Sequence, residues 1–192
     1  MKPGDKVLFE DQWLSLMQTE DGYTYAHMSR AEKGQLVACL VYKKDDTGKV
    51  THFLGRYENT PPHNDGLTLS SITGGVDEGQ WHLPAILIEL VEEAGIPEDI
   101  VYGDVQDALK DDVHRMERLE YLGHCFVSKQ EDTMAHLYAF DATGLELNKA
   151  TSDGSKGEED AYCQWEEPHV VLGCKCPLVS CMAVRSGLLW KI

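Results

Sequence analysis

Glu89, Glu92 and Glu93 stand at i, i+3 and i+4. On a helix that spacing puts three carboxylates on one face. Like charges so placed repel, each pair costing about 0.2–0.5 kcal/mol even in solvent. They also fall in the second half of the candidate helix, where the dipole disfavours anions. Two arrangements make such a face tolerable: full solvation, or a divalent cation that turns repulsion into coordination. Carboxylate oxygens suit Mg2+, which keeps several waters and often shares its coordination with substrate phosphates. Taken alone, a Glu-x-x-Glu-Glu run reads as a solvated face, and only its flanks change that reading.

The element that must carry the three carboxylates is a helix over residues 84–94. Ile86, Leu87, Leu90, Val91 and Ala94 cover its other side and can pack on a sheet. Pro84 is tolerated in the first position, Gly95 fits just past the end, and Pro97 forbids continuation. Upstream, the pattern is β. Residues 23–30 form a short aromatic-rich strand. Residues 35–42 (QLVACLVY) are a nearly continuous apolar run, the pattern of a strand buried on both faces. Asp45-Asp46-Thr47-Gly48 reads as a turn into a strand over 49–57, giving a hairpin. Residues 58–66, with Pro61, Pro62 and Asn64-Asp65-Gly66, form a loop, and 67–72 a further strand ending at Gly74-Gly75. Downstream come a helix over 104–116 and a strand pair at 119–128 and 134–141. A long charged, Gly- and Ser-rich loop follows over 148–160, then a last strand over 164–172 and a closing helix over 177–190. Helix between strand groups predicts an α/β or α+β sandwich.

The chain's 192 residues suffice for one domain with a sizeable core and are too few for two full-size ones. A net charge of −16 disfavours general binding to nucleic acid polymers or to an anionic membrane, both being like-charged. A polyanionic nucleotide remains an acceptable partner if cations sit between. The acidic N-terminal segment lacks the apolar stretch of a signal peptide, and no apolar run approaches the roughly 18 residues of a membrane span. A cytoplasmic location is expected, with the six cysteines (Cys39, Cys125, Cys163, Cys174, Cys176, Cys181) reduced. Cys163, Cys174, Cys176, Cys181 and His169 lack the paired C-x2-C spacing of a zinc site, so free thiols are expected there.

The segment from Gly74 to Ile96 resembles the Nudix box, G-x5-E-x7-R-E-U-x-E-E-x-G-U with U aliphatic. Gly74, Glu89, Leu90, Glu92, Glu93, Gly95 and Ile96 match in register, seven of nine defined positions. Gln80 stands at the first glutamate and Ile88 at the arginine. The resemblance implies a single Nudix domain over residues 1–192, with an N-terminal β extension over 1–34 and the architecture of an α/β/α sandwich with a central mixed sheet. It implies hydrolysis of a pyrophosphate bond in a nucleoside diphosphate linked to another group, such as ADP-ribose, a nucleotide sugar or a nucleoside triphosphate. Mg2+ or Mn2+ is the implied cofactor. Glu89, Glu93, Glu92 and the carbonyl of Thr73 are its implied ligands, with Glu92 and Glu93 also the catalytic candidates. In the family the arginine orients the glutamates; Ile88 cannot, so here the carboxylates must be held otherwise. Gln80 keeps an acceptor oxygen and loses the charge.

Outside the box, Glu158 and Glu159 are candidates for a general base on a mobile loop. A solvated charge run is the competing reading. Arg56 and Tyr57 end a strand and could offer a phosphate contact and a base-stacking ring, although surface or core roles suit them too. The backbone at Gly74 and Gly75 is a further candidate substrate contact. The N-terminal region, with Trp13, Tyr23, Tyr25 and Arg30, is loosely similar to the strand additions of ADP-ribose pyrophosphatases, which allows a homodimer. The proline that marks those enzymes after the box is absent, Asp111 and its neighbours filling that place. The alternative to a hydrolase is a catalytically weak or inactive Nudix-like sensor, binding a nucleotide or a partner without turnover.

Overall fold

The computed structural model describes residues 4–12, 14–28, 34–60, 66–103, 116–150 and 160–191. The chain forms two sheets. β1 (Lys6–Glu10), β2 (Leu14–Gln18) and β3 (Thr24–Met28) make a small antiparallel sheet. The larger, seven-stranded sheet holds β4 (Gln35–Lys44), β5 (Val50–Asn59), β6 (Leu67–Ser70), β7 (Ile72–Gly75), β8 (Leu119–Phe126), β9 (Met134–Asp141) and β10 (Tyr162–Glu166). Its order is β10-β5-β4-β9-β8, with β6 beside β5 and β7 beside β4.

The run expected to be buried on both faces is the central strand. β4 lies parallel to β9 along one edge and antiparallel to β5 and β7 along the other. Its side chains alternate between two cores, as the pleat requires. Val37, Cys39 and Val41 face one; Ala38, Leu40 and Tyr42 face the other. The Asp45–Gly48 turn closes the β4–β5 hairpin. The Asp45 carboxylate accepts from the Thr47 and Lys49 amides at 2.9 and 3.0 Å.

Helix α1 (His82–Glu92) packs on β4 and β7 over the first core. Ala85, Ile86, Leu87 and Leu90 are its buried residues, and Ile86 and Leu90 are fully so. Each contributes about 1.5–3 kcal/mol by leaving water. On the opposite face, the short helix α2 (Pro168–Leu172) packs on β5, and α3 (Pro177–Arg185) on β4 and β9. A 3-10 turn follows at Leu188–Lys191. Helices on both faces of a mixed sheet give the expected α/β/α sandwich. The small sheet is tied to the β8–β9 connection: His27 Nδ1 meets the Asp132 carboxylate at 2.9 Å, and the Tyr23 hydroxyl donates to the Lys129 carbonyl at 2.9 Å.

Several boundaries differ from the expectation. The closing helix expected over 177–190 ends at Arg185, and β5 runs on to Asn59, so Glu58 belongs to the strand and not to the expected loop. α1 begins at His82, so Pro84 is its third residue; the first turn tolerates it because that N–H has no intrahelical acceptor. The strand expected over 67–72 is two strands meeting at Ser71, where the chain leaves β5 and joins β4. The strand expected over 164–172 stops at Glu166, and Pro168 opens α2 instead. Residues 98–103 are helical, while most of the helix expected over 104–116 lies outside the described residues. Trp13, Arg30, the prolines of the 58–66 loop and residues 151–159 lie outside them as well.

Candidate active site

The acidic end of α1 sits over the end of β7. Gly74 makes this approach possible. A Cβ built there would lie 1.8 Å from Glu89 Oε1 and 2.5 Å from Glu89 Cγ, so the Glu89 side chain occupies the space above the glycine. Gly95 ends the helix with a positive φ of 67°, the left-handed region that favours glycine. The Ile96 amide returns to the Leu90 carbonyl at 2.9 Å, and the Asn148 amide donates to the Gly95 carbonyl at 2.7 Å. The helix end that carries the glutamates is thereby fixed from both sides.

The three glutamates meet different surroundings. Glu92 is exposed and Glu89 half-buried. Glu93 is 6% exposed. Its Oε2 accepts from the Thr73 amide at 3.2 Å, and its Oε1 pairs with Arg56 Nη2 at 2.8 Å. Arg56 Nε meets Glu58 Oε2 at 3.3 Å, and the Ser70 hydroxyl donates to Glu58 Oε1 at 2.8 Å. The Cys163 thiol donates to the Glu93 carbonyl at 3.2 Å. Burial pushes the Glu93 carboxyl well above the usual carboxylate range, and the Glu89 and Glu58 charges add to that. Arg56 and the Thr73 amide pull it back. An added positive charge at this face would relieve the same strain.

Arg56, expected as a phosphate contact, is 2% exposed, and its guanidinium meets two carboxylates. Tyr57 stacks on Tyr162 with centroids 4.9 Å apart, and its hydroxyl donates to Glu166 at 2.8 Å. Burial and that carboxylate push its phenol up to about 12, so it stays a neutral donor. Gln80 turns inward on its own loop, its side-chain oxygen accepting from the Asp77 amide at 3.2 Å. Ile88 lies at the surface with 36% of its area exposed. Glu158 and Glu159 lie outside the described residues. Glu89, Glu93, Thr73, Gly74 and Arg56 are therefore brought together, with Glu92 beside them, while Tyr57 faces the β10 side.

Oxygen donors at the mouth of this site suit a hard cation that keeps water and borrows substrate oxygens, the habit of Mg2+. Among the described residues, no three His, Cys, Asp or Glu side chains are grouped so that they could hold a metal ion by themselves, so a cation here would also need backbone, water or substrate oxygens. All six cysteines are free of disulfides.

Sequence reasoning missed a second cluster at the start of α1. The His82 ring stacks on His136 with centroids 4.0 Å apart and is hydrogen-bonded to the Tyr138 hydroxyl. His136 Nε2 donates to the Gln35 side-chain oxygen at 3.1 Å, which leaves Nδ1 to accept from the Tyr121 hydroxyl at 3.0 Å. Acceptance at Nδ1 needs a neutral ring. Burial, then His82 and His124, hold His136 down at about 4 against an ordinary value of 6.5. Between those values the unfolded chain binds the proton that the folded chain refuses, so stability is lost as pH falls from 6.5 toward 4. The loss should be on the order of 1–2 kcal/mol after solvent screening. Thermal unfolding followed from pH 7 to 4.5 should drop more steeply in the native protein than in His136→Gln. Parallel curves would show that this ring does not carry the effect.

Among solved structures, the chain is similar to an ADP compounds hydrolase, with TM-score 0.58 and 14% identity over 98% of this chain and 94% of that one. It is also similar to a C. elegans Ap4A hydrolase, with TM-score 0.51 and 18% identity over 82% of this chain and 98% of that one. A NUDIX-family hydrolase from Clostridium perfringens aligns over 82% of this chain and 99% of its own at 15% identity, with TM-score 0.46. No family model matches the chain, and no curated protein matches it. At these identities the likeness establishes the fold, which is the Nudix-type α/β/α sandwich with a central mixed sheet.

Proposed function

We propose that this chain hydrolyses a pyrophosphate bond in a nucleoside diphosphate linked to another group, using Mg2+ or Mn2+. The observation that carries the reading is the acidic end of α1, with Glu89 seated over Gly74 and Glu93 over the Thr73 amide. Glu89, Glu92 and Glu93, with the Thr73 carbonyl, are the groups that would hold the cation. A bound Mg2+ supplies neutralisation of the phosphate oxygens and a lowered pKa for a bound water. The chain supplies position. α1 is anchored by Ile86 and Leu90 below and by the Gly95 turn at its end, so its carboxylates cost little reorganisation when substrate arrives. The space over Gly74 is taken by Glu89, while the exposed Gly75 at the end of β7 leaves the backbone there open to close approach by a pyrophosphate. Glu158 and Glu159 remain the proposed source of a general base.

The substrate class is a small nucleotide derivative. The structural neighbours are described as acting on ADP compounds and on Ap4A, which makes adenine nucleotides the first compounds to try. The deciding experiment is a turnover screen with ADP-ribose, nucleotide sugars, NADH, nucleoside triphosphates and dinucleoside polyphosphates. Release of a nucleoside monophosphate with Mg2+ or Mn2+, abolished by chelator, is the expected result. Nucleotide binding with no turnover for any of these compounds would replace the hydrolase by a sensor. Ile88 and Gln80, standing where the box has charge, are the residues that favour that second reading.

A further inference from the structure

The least expected feature of the site is a row of polar groups running beneath it. Leu54, Arg56 and Glu58 alternate along β5 and so point to one side of the sheet. Leu54 joins the core under α1. The next two positions on that side carry opposite charges where the sequence pattern calls for apolar residues. From there a connected chain runs across three elements. The Ser70 hydroxyl on β6 donates to Glu58, Glu58 pairs with Arg56, and Arg56 pairs with Glu93 at the end of α1. Arg56 is thus gripped from behind by one carboxylate and grips another in front.

Burying an arginine this completely needs a reason, because a buried ion pair seldom adds net stability over an apolar replacement. What it does add is geometry. A guanidinium is planar and rigid, and its pairing with a carboxylate is directional. Glu93 has one oxygen on Arg56 and the other on the Thr73 amide, which fixes the plane of the carboxylate. Its remaining lone pairs are set relative to Glu89 on the same helix face. Without Arg56, Glu93 would be a buried carboxylate next to Glu89 with only one amide to hold it.

We propose that Arg56, itself held by Glu58 and Ser70, is the positioning residue that fixes the Glu93 carboxylate in the orientation in which it shares a cation with Glu89. This rests on the metal-dependent reading above. It makes Arg56 a partner of the chain's own carboxylates and not a contact for the substrate phosphate.

Mn2+ binding to the full chain, measured by calorimetry without nucleotide, tests it apart from turnover. Arg56→Met should bind Mn2+ about tenfold more weakly, the usual cost of losing the group behind a metal ligand. Arg56→Lys, which keeps the charge with fewer donors, should recover part of that loss. A merely structural role would lower the unfolding temperature of Arg56→Met and leave its Mn2+ affinity unchanged or tighter, since a nearby positive charge has gone. That result would overturn the proposal. If Arg56→Met does not fold, Glu58→Gln replaces it, with severalfold weaker Mn2+ binding expected and unchanged binding overturning the proposal. A native protein that binds no Mn2+ would overturn the functional reading and this inference together. Tight native binding with unchanged variants would overturn this inference alone.

Discussion

Glu93→Gln should lower turnover by about 10²–10³-fold while the protein stays folded. Glutamine keeps the volume of the side chain and one oxygen for the Thr73 amide, so the packing at the end of α1 survives. The variant lacks the negative charge that balances Arg56 at 2.8 Å and that would face a cation. An amide group pointing its N–H toward a guanidinium is a mismatch worth about 1–3 kcal/mol. A lower unfolding midpoint should therefore accompany the loss of activity without abolishing cooperative unfolding. Steady-state kinetics on whichever nucleotide the screen selects, with an unfolding curve on the same sample, checks both parts. Full turnover in a folded Glu93→Gln would take Glu93 out of the chemistry and overturn its place among the proposed catalytic groups.

The contrast between Glu93 and its neighbours explains which parts of the site could be read in advance. The spacing of Glu89, Glu92 and Glu93, the glycine at each end and the apolar side of the helix are all local patterns within 23 residues. Helical periodicity fixes their relative placement, so sequence suffices for them. The central strand was legible for the same kind of reason, since QLVACLVY leaves no polar face. The partner of Glu93 was not. Arg56 lies 37 residues upstream, and only the β5–β6–β7 path brings it under α1. A signal existed in the parity of β5: Arg56 shares its side of the strand with buried Leu54, so an inward arginine could have been suspected.

Other differences have equally specific causes. α1 starts without a side-chain cap, and Trp81 gives no start signal that sequence could use. The continuous run over 67–72 hides a change of partner, because a strand's sequence does not say which neighbour each half will pair with. The histidine cluster needs β8, β9 and the first turn of α1 to converge, and the parallel β4–β9 pairing that sets His136 beside Gln35 is a long-range contact. Scattered histidines carry no periodicity from which that convergence could be read.

Gly74→Ala should abolish most of the cation affinity of the site while the protein stays folded. The backbone at Gly74 does not require a positive φ, so alanine meets no conformational penalty there. The methyl would fall 1.8 Å from Glu89 Oε1, 2.3 Å from Cδ and 2.5 Å from Cγ, too close for any adjustment confined to the carboxylate. The entire side chain must leave for another rotamer, and β7 cannot retreat because Val37 and Gly74 are paired across the sheet. Glu89 is half-buried on the helix surface, so its side chain can leave for another rotamer at a cost of about 0.5–1.5 kcal/mol for the interaction it gives up. The substitution therefore displaces one ligand candidate and leaves the core untouched. Metal binding and turnover should fall together, by about 10²-fold or more, because moving a ligand outright exceeds the 10–100-fold typical of a supporting residue. Calorimetry with Mn2+ and a thermal melt on the same preparation separate the two effects. An unchanged Mn2+ affinity in Gly74→Ala would mean that Glu89 is not a ligand, and Glu92 would then be the carboxylate to test beside Glu93.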